Sequence, residues 1–382
     1  MLITKERVGY SVLGTHYRFG SAAKAAAMRL ADALGAPFFC LKRTTLESAP
    51  QRIVVIQLDH IGDMVLAGHM LTALRAAYPK AHITVLARTM AKPAADMIEA
   101  VDETVCLNTP WLSRGDSMGW PALVRFVAKN RKKYDLAIDL HGDARHLVLA
   151  RLLGRFSVGL GVRGFGFLVN KNVAWSRVYS RHIVDVHMEL VRAAAGTHPH
   201  ARFALSIPDK ARDTVRHILA RYGIRENAFT LVQMSSGLDA KDWPTEYWQQ
   251  AVRNLCEKQA IVTADQDEAK VRLLETCTQS GRFAAVRLEI AQYAALVSMC
   301  AKAISVDTFT VHLARLLDKP LVALYSGTNL VKEWGPYGES ANVSLLQDTS
   351  CPRFPCYLKK CAYGYPSPCM KRIEPAMMER HL

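Results

Sequence analysis

Short apolar runs alternate with stretches of helical period along most of the chain. Arg52–Leu58, Ile83–Ala87, Thr104–Leu107, Asp135–Leu140, Phe229–Met234, Ala260–Ala264, Ala303–Val306 and Leu321–Tyr325 are such runs. They are continuous rather than alternating, as parallel strands covered on both faces should be. Between the first two, Met64, Ala67, Leu71 and Leu74 recur at helical spacing and predict a helix with one buried stripe. Further helices are predicted over Pro121–Asn130, Ile183–Ala195, about Asp209–Tyr222, Tyr293–Ala301, from Thr308 to about Leu317, and over Met370–Met378. Strands that alternate with helices specify an α/β chain with parallel sheets. A polar stretch over Thr197–His200, followed by Ile207-Pro208-Asp209, marks a linker. The expected division is an extension over 1–50, domains over 51–205 and 206–348, and a tail over 349–382.

The turns after the strands hold the candidate chemistry, because open parallel sheets bind ligands at the carboxyl ends of their strands. After Ala303–Val306, Asp307 and Thr308 supply caps to a helix carrying His312 one turn in. A helix N-terminus there suits an anion, and a carboxylate and an imidazole beside it suit a ribose and a diphosphate. After Phe229–Met234 come Ser235-Ser236-Gly237 and then Lys241-Asp242-Trp243-Pro244, hydroxyls and a cation able to offset a diphosphate without a metal. After Arg52–Leu58 comes Asp59-His60-Ile61-Gly62-Asp63, with no GxGxxG fingerprint. His141 and Arg145 follow the strand ending at Leu140, and Arg163 follows later. Their side chains suit carboxylates or phosphates. Each has a plain structural alternative: caps for Asp63, Asp307 and Thr308, a helix-face histidine for His312, a loop lysine for Lys241, and surface basics for the rest.

Charge sharpens the picture. The net charge is +15, with +12 in residues 1–205 (27 Lys+Arg against 15 Asp+Glu) and +3 in the remainder (22 against 19). A basic first half suits a phosphate-rich partner such as an anionic glycolipid, a membrane face or nucleic acid. No apolar run is long enough to span a membrane and the N-terminus lacks the form of a signal peptide, so a cytoplasmic protein is expected. Phe19–Leu34, with Arg18, Lys24 and Arg29 interleaved, reads as an alanine-rich helix that packs on the domain it precedes, the alternative being contact with a membrane or partner subunit. Of nine cysteines, Cys40, Cys106, Cys256, Cys277 and Cys300 are scattered and expected to be buried apolar residues.

Asp307-Thr308, His312, KPLVALYSGT and Trp334-Gly335-Pro336-Tyr337 resemble the donor site of glycosyltransferase family 9, the ADP-heptose:lipopolysaccharide heptosyltransferases. RIVVIQLDHIGDMVLAGHMLTALRAAYP is similar to that family's opening strand, loop and helix, and DLHGDARHLVLARLLG to its acceptor-side segment. The resemblance covers roughly residues 50–375. It implies a GT-B fold, two Rossmann-like domains facing across a cleft, and an inverting transferase with no catalytic cofactor. Asp63 is then the general base. Ser235, Ser236, Lys241, Asp307, Thr308 and His312 bind the ADP-heptose donor. His141, Arg145 and Arg163 line the acceptor side, and the acceptor is inner-core lipopolysaccharide at the inner membrane face. Two departures stand out. Phe309 occupies a position where the family has Gly, so the backbone is re-routed or the ring packs on the donor. Gly68-His69 replaces a residue-Pro pair and leaves the helix free to start or bend differently. Glu268 lacks the glycine-rich turn that precedes the family's acidic residue.

Cys351, Cys356, Cys361 and Cys369 fall within nineteen residues, with spacers of four, four and seven. Spacing alone leaves two readings, four reduced thiols in a loop or tetrahedral zinc or iron. The segment resembles the tail of heptosyltransferase II-type members and of a related branch that modifies autotransporter adhesins and holds iron on four cysteines. A structural metal or a redox-sensitive cluster with no part in the chemical step is therefore expected. Two other functions stay open at this point. One is a protein O-heptosyltransferase acting on adhesin serines. The other, from a different class, is a metal-containing nucleic-acid-binding module; its basic residues lie away from the cysteines, so no nucleic-acid partner is expected. A homo-oligomer is compatible with all of these.

Overall fold

The computed structural model describes residues 10–12, 15–17, 22–39, 45–111, 117–173, 181–197, 199, 201–277 and 282–381. The chain divides into two compact units, Met1–Leu205 and Ser206–Leu382.

In the first unit a short antiparallel pair, β1 (Tyr10–Val12) and β2 (Thr15–Tyr17), precedes a six-stranded sheet. Its strands are β3 (Arg52–Gln57), β4 (His82–Ala87), β5 (Glu103–Cys106), β6 (Tyr134–Asp139), β7 (Gly154–Leu160) and β8 (Lys171–Val173). They lie in the order β5-β4-β3-β6-β7-β8, every pair parallel. Ile53 to Ile56, Leu136 to Ile138 and Val85 to Ala87 have no exposed surface, which is why these strands read as unbroken apolar runs. The chain passes from β3 outward through β4 to β5, then returns to the other side of β3 through β6. The switch of direction lies between β3 and β6. Neighbouring loops must diverge there, and the gap they leave at the carboxyl ends is the usual ligand position.

The second unit repeats the plan. β9 (Phe229–Gln233), β10 (Ala260–Thr263), β11 (Phe283–Ala285), β12 (Lys302–Val306), β13 (Leu321–Tyr325) and β14 (Val343–Gln347) form a parallel sheet in the order β11-β10-β9-β12-β13-β14. Its switch point lies between β9 and β12. One core cluster joins Val232, Trp243, Trp248 and Leu324 to the tail residues Cys369, Met370, Ile373 and Met378. The tail is thus part of this unit's interior, and Trp243 Nε1 donates to the Ile373 carbonyl at 2.7 Å.

Several expectations are corrected. The predicted Met370–Met378 helix is two short ones, Pro368–Lys371 and Pro375–Glu379, because Pro375 cannot supply the backbone donor that a continuous helix needs. Cys106 is exposed, whereas Cys256 and Cys300 are buried as expected; Cys40 and the side chain of Cys277 lie outside the described residues. The N-terminal helix α1 spans Ala22–Gly35, and Asp32 accepts the Phe165 N–H at 2.7 Å, so this helix packs on the first unit. Arg18 lies outside the described residues. Gly68-His69 lies inside one uninterrupted helix, α2 (Ile61–Ala77). A Cβ at Gly68 would come within 2.0 Å of Phe203 Cζ, and the His69 ring meets Phe203 edge-on at 5.1 Å. The small residue admits the Phe203 ring against the helix.

Candidate active site

In the first unit the site grows from the two loops that flank the switch point. Asp63 is the third residue of α2, at the end of β3. Its Oδ2 accepts the His60 N–H at 3.1 Å in a capping box, and its side chain keeps 22% exposure. The cap is therefore real, and the carboxylate still reaches solvent. Gln57 Nε2 donates to the Asp63 carbonyl at 3.1 Å and pins the turn.

The β6 loop faces it across the switch point. Asp139 is fully buried and its Oδ2 accepts the Gly142 N–H at 2.7 Å. Gly142 has φ +74, and a Cβ there would lie 2.7 Å from the Leu160 carbonyl oxygen, so only glycine makes this turn. The turn presents His141. Its Nδ1 donates to Asp59 in a short contact, and Arg163 Nη1 lies 2.9 Å from its Nε2. Burial disfavours the charged ring, but the Asp59 carboxylate outweighs burial and holds the His141 pKa above its ordinary value.

Arg145 and Arg163 converge on Asp143. Arg145 Nε and Nη2 donate to the two Asp143 oxygens at 2.8 and 2.7 Å, and Arg163 Nη1 is 4.0 Å from Oδ2. Burial pushes the Asp143 pKa up, yet the Arg145 guanidinium brings it well below the usual carboxylate range. Arg145 also lies 5.2 Å over the Trp111 ring. The three expected acceptor-side residues are thus brought into one cluster. Asp59 and Asp143, which the sequence did not single out for a role, organise it.

His187, on α5 (Ile183–Ala195; α3 is Trp120–Asn130 and α4 is Ala144–Leu153), is buried within electrostatic reach of Asp63 and Asp59. Burial pushes its pKa down to about 4, against the pull of Asp63 and Asp59. The unfolded chain therefore binds the extra proton between about pH 6.5 and 4, and native stability falls as pH falls through that window. From pH 7.5 to 5 this one group should cost about 2 kcal/mol. Urea unfolding at the two pH values will show that loss, and His187→Asn will flatten it.

In the second unit the same geometry carries different chemistry. β12 ends at Asp307, and Thr308 caps α10 (Phe309–Leu316; α6 is Asp209–Arg221, α7 Thr245–Cys256, α8 Glu268–Cys277 and α9 Ile290–Met299). Thr308 Oγ1 accepts the Thr310 N–H at 3.3 Å and lies 3.1 Å from Ser305 Oγ. Lys241 Nζ lies 2.6 Å from Asp307 Oδ2, and Asn329 Nδ2 donates to the same oxygen at 3.2 Å. This pair joins the β9 loop to the β12 loop. His312 is buried one turn into α10. Phe309 opens α10 behind an intact Thr308 cap; its ring packs at 4.9 Å on Tyr293, whose hydroxyl meets Thr310 Oγ1 at 2.7 Å.

Ser235 and Ser236 start the β9 loop. Asp265 Oδ2 accepts the Met234 and Ser235 N–H groups at 2.9 and 2.7 Å, and Ser236 Oγ donates to the Leu238 carbonyl at 2.9 Å. Glu268 pairs with Arg272 and Arg287 on the surface.

Cys351, Cys356, Cys361 and Cys369 line one cavity together with Ala240, Gly327 and Thr328. Gly327 N–H donates to Cys369 Sγ at 3.2 Å and Tyr363 N–H to Cys361 Sγ at 3.4 Å. Among the described residues, no three His, Cys, Asp or Glu side chains are placed to share an ion. Ser367 Oγ donates to the Ala240 carbonyl at 3.1 Å, and Cys356 N–H to the Gly327 carbonyl at 2.9 Å. The cysteine segment therefore braces the loops that carry Lys241 and follow β13. No helix among the described residues is long and apolar enough to cross a membrane.

A family model, glycosyltransferase family 9 (heptosyltransferase), matches residues 125–363. Lipopolysaccharide heptosyltransferase 1 of Pseudomonas aeruginosa is 33% identical over 131 residues, 32% of this chain and about a third (34%) of that protein. Lipopolysaccharide heptosyltransferase 2 of Salmonella typhimurium is 23% identical over 294 residues, 72% of this chain and 82% of its own. Among solved structures, a glycosyl transferase of family 9 from Veillonella parvula superposes with a TM-score of 0.70 at 20% identity, covering 89% of this chain and 97% of its own. The E. coli ADP-heptose lipopolysaccharide heptosyltransferase II superposes with a TM-score of 0.66 at 19% identity, covering 86% and 96%.

Proposed function

Because the chain belongs to glycosyltransferase family 9, the heptosyltransferases, and has their GT-B fold, we propose that it transfers a heptose from ADP-heptose to inner-core lipopolysaccharide with inversion. The observation that supports this reading best is the second unit's switch point. There a hydroxyl pair, a lysine bound to a carboxylate and a capped helix N-terminus meet at the ends of β9 and β12. Lys241, Ser235, Ser236, Thr308 and the N-terminus of α10 offset the charge that develops on the departing diphosphate. Asp307 and His312 hold the nucleoside side. Asp63 takes the proton of the acceptor hydroxyl as general base. His141, Arg163 and Arg145 receive the acceptor's anionic groups, with Asp59 and Asp143 fixing their orientation. The +15 net charge favours a peripheral position on the anionic cytoplasmic face of the inner membrane.

Calorimetry with ADP-heptose, ADP, UDP-sugars and NAD tests the donor. Preference for ADP-heptose supports the reading, and preference for UDP-sugars overturns it. Transfer assays on truncated lipopolysaccharide core and on an adhesin passenger fragment then separate a glycolipid acceptor from a protein one.

The four thiols fit a structural zinc or iron in kind. Burial holds the Cys369 thiol above its ordinary pKa, and the nearby Cys361 and Cys351 add to the shift, a repulsion between thiolates that a cation would relieve. Such a metal would tie the tail to the Gly327 turn and take no part in transfer. Metal analysis of the purified protein should find about one equivalent of zinc or iron, as a single four-thiolate site holds. Cys361→Ser should remove it and lower the melting temperature; a metal-free wild type of unchanged stability would sink this proposal.

A further inference from the structure

Lys270 lies in α8 with its side chain 8% exposed. Its Nζ is 2.8 Å from Asp242 Oδ2, 3.0 Å from Ser235 Oγ and 3.5 Å from Asp267 Oδ2. Asp242 follows Lys241 directly in the chain and also accepts the Ser236 N–H at 3.3 Å. One buried ammonium thus holds both pieces of the β9 loop, the hydroxyl pair and the residue next to Lys241. An ammonium can only donate, so its bond to Ser235 occupies a lone pair of Oγ. The Ser235 hydroxyl hydrogen must then point away from Lys270. The backbone N–H of Ser235 is already given to Asp265 at 2.7 Å, so the hydroxyl is what this residue has left to offer a ligand.

We propose that Lys270 is a positioning residue for the donor: it turns the Ser235 hydroxyl into an oriented hydrogen-bond donor toward the diphosphate and fixes the loop that presents Lys241. The proposal rests on the reading that this site takes a nucleoside diphosphate sugar. A salt bridge with a purely structural role behaves differently: losing its lysine strands the Asp242 carboxylate and lowers stability, with no reason to weaken ADP more than adenosine.

Lys270→Met keeps volume and removes charge. Its affinity for ADP should fall about 10- to 100-fold, the worth of a charge-assisted contact. Adenosine binding and the acceptor KM should stay unchanged, and Lys270→Arg should restore part of the loss. Ser235→Ala, a smaller change that leaves the ion pair intact, should weaken ADP to a similar extent. The double variant should be little worse than either single one, since both act through one hydroxyl. Equal loss of ADP and adenosine binding in Lys270→Met, or fully additive losses in the double variant, would overturn the proposal. If Lys270→Met does not fold, Ser235→Ala decides alone, and wild-type ADP affinity in that variant overturns the role. A wild-type protein that ignores ADP while binding another nucleotide removes the donor reading itself, whereas ADP binding equal in wild type, Lys270→Met and Ser235→Ala removes only the Lys270 role.

Discussion

Transfer should fall by about two to four orders of magnitude in kcat when Asp63 becomes asparagine, while ADP affinity should stay at the wild-type value. On the proposed mechanism the carboxylate takes the proton of the attacking hydroxyl, and an amide cannot take it. The amide oxygen of the Asp63→Asn variant can still accept the His60 N–H, so the start of α2 survives. Asp63→Ala loses the same activity and in addition the cap, about 1 kcal/mol of stability. Comparing the two variants separates chemistry from folding. If Asp63→Asn turns over within about tenfold of wild type, less than a general base contributes, proton removal belongs to another group. Asp59 in the same loop, paired with His141 across the switch point, is then the next candidate to test.

Lys241→Ala carries the second large effect. Donor affinity should drop about 10- to 100-fold by calorimetry, as expected for losing a charged contact to the diphosphate. The variant should also melt early. Asp307 is 7% exposed and its Oδ2 lies 2.6 Å from Lys241, so removing the lysine strands a buried carboxylate. Breaking such a pair costs about 3–5 kcal/mol. Lys241→Arg keeps a cation near Asp307 and should recover stability more fully than affinity, because a planar guanidinium does not reproduce the position of a point charge. Unchanged ADP binding in a folded Lys241→Ala protein would remove Lys241 from the donor site.

The central strands were legible to within a residue or so at each end. β3 and β13 carry unbroken apolar runs because both faces are covered, and burial of that kind writes itself directly into composition. β7 was not recognised: it begins with Gly154 and exposed Arg155 and contains Ser157, whose Oγ needs the Asn170 side chain at 3.0 Å to be buried. β8 and β11 have three residues each, too few for a period to show. Among the proposed site residues, Asp63, Ser235, Lys241, Asp307 and Thr308 stand in short local motifs, which is what singles them out in the sequence. Asp59, Asp143 and Lys270 could not, because their roles come from partners the chain brings together only in space. His141 and Asp59 are 82 positions apart, and Lys270 reaches Ser235 and Asp242 across 35 and 28. Phe309 and Gly68 looked like departures from a pattern. Each is answered by one neighbour, Tyr293 and Phe203, that only the fold supplies.

The packing of Met370, Ile373 and Met378 into the same core as Val232 and Trp243 has a consequence for biosynthesis. Strands β9 to β14 leave the ribosome first, yet the hydrophobic face that Trp243 and Trp248 present to the tail stays open until the chain is made through Met378. The second unit must therefore complete its folding after translation of its sheet is over, whereas the unit through Leu205 is free to fold as it emerges. During that interval the loop bearing Lys241 lacks the Ser367 and Ile373 contacts that anchor it and the residue two places on. Newly made chains should pass through a stage in which the first half is protease-resistant and the second half is not.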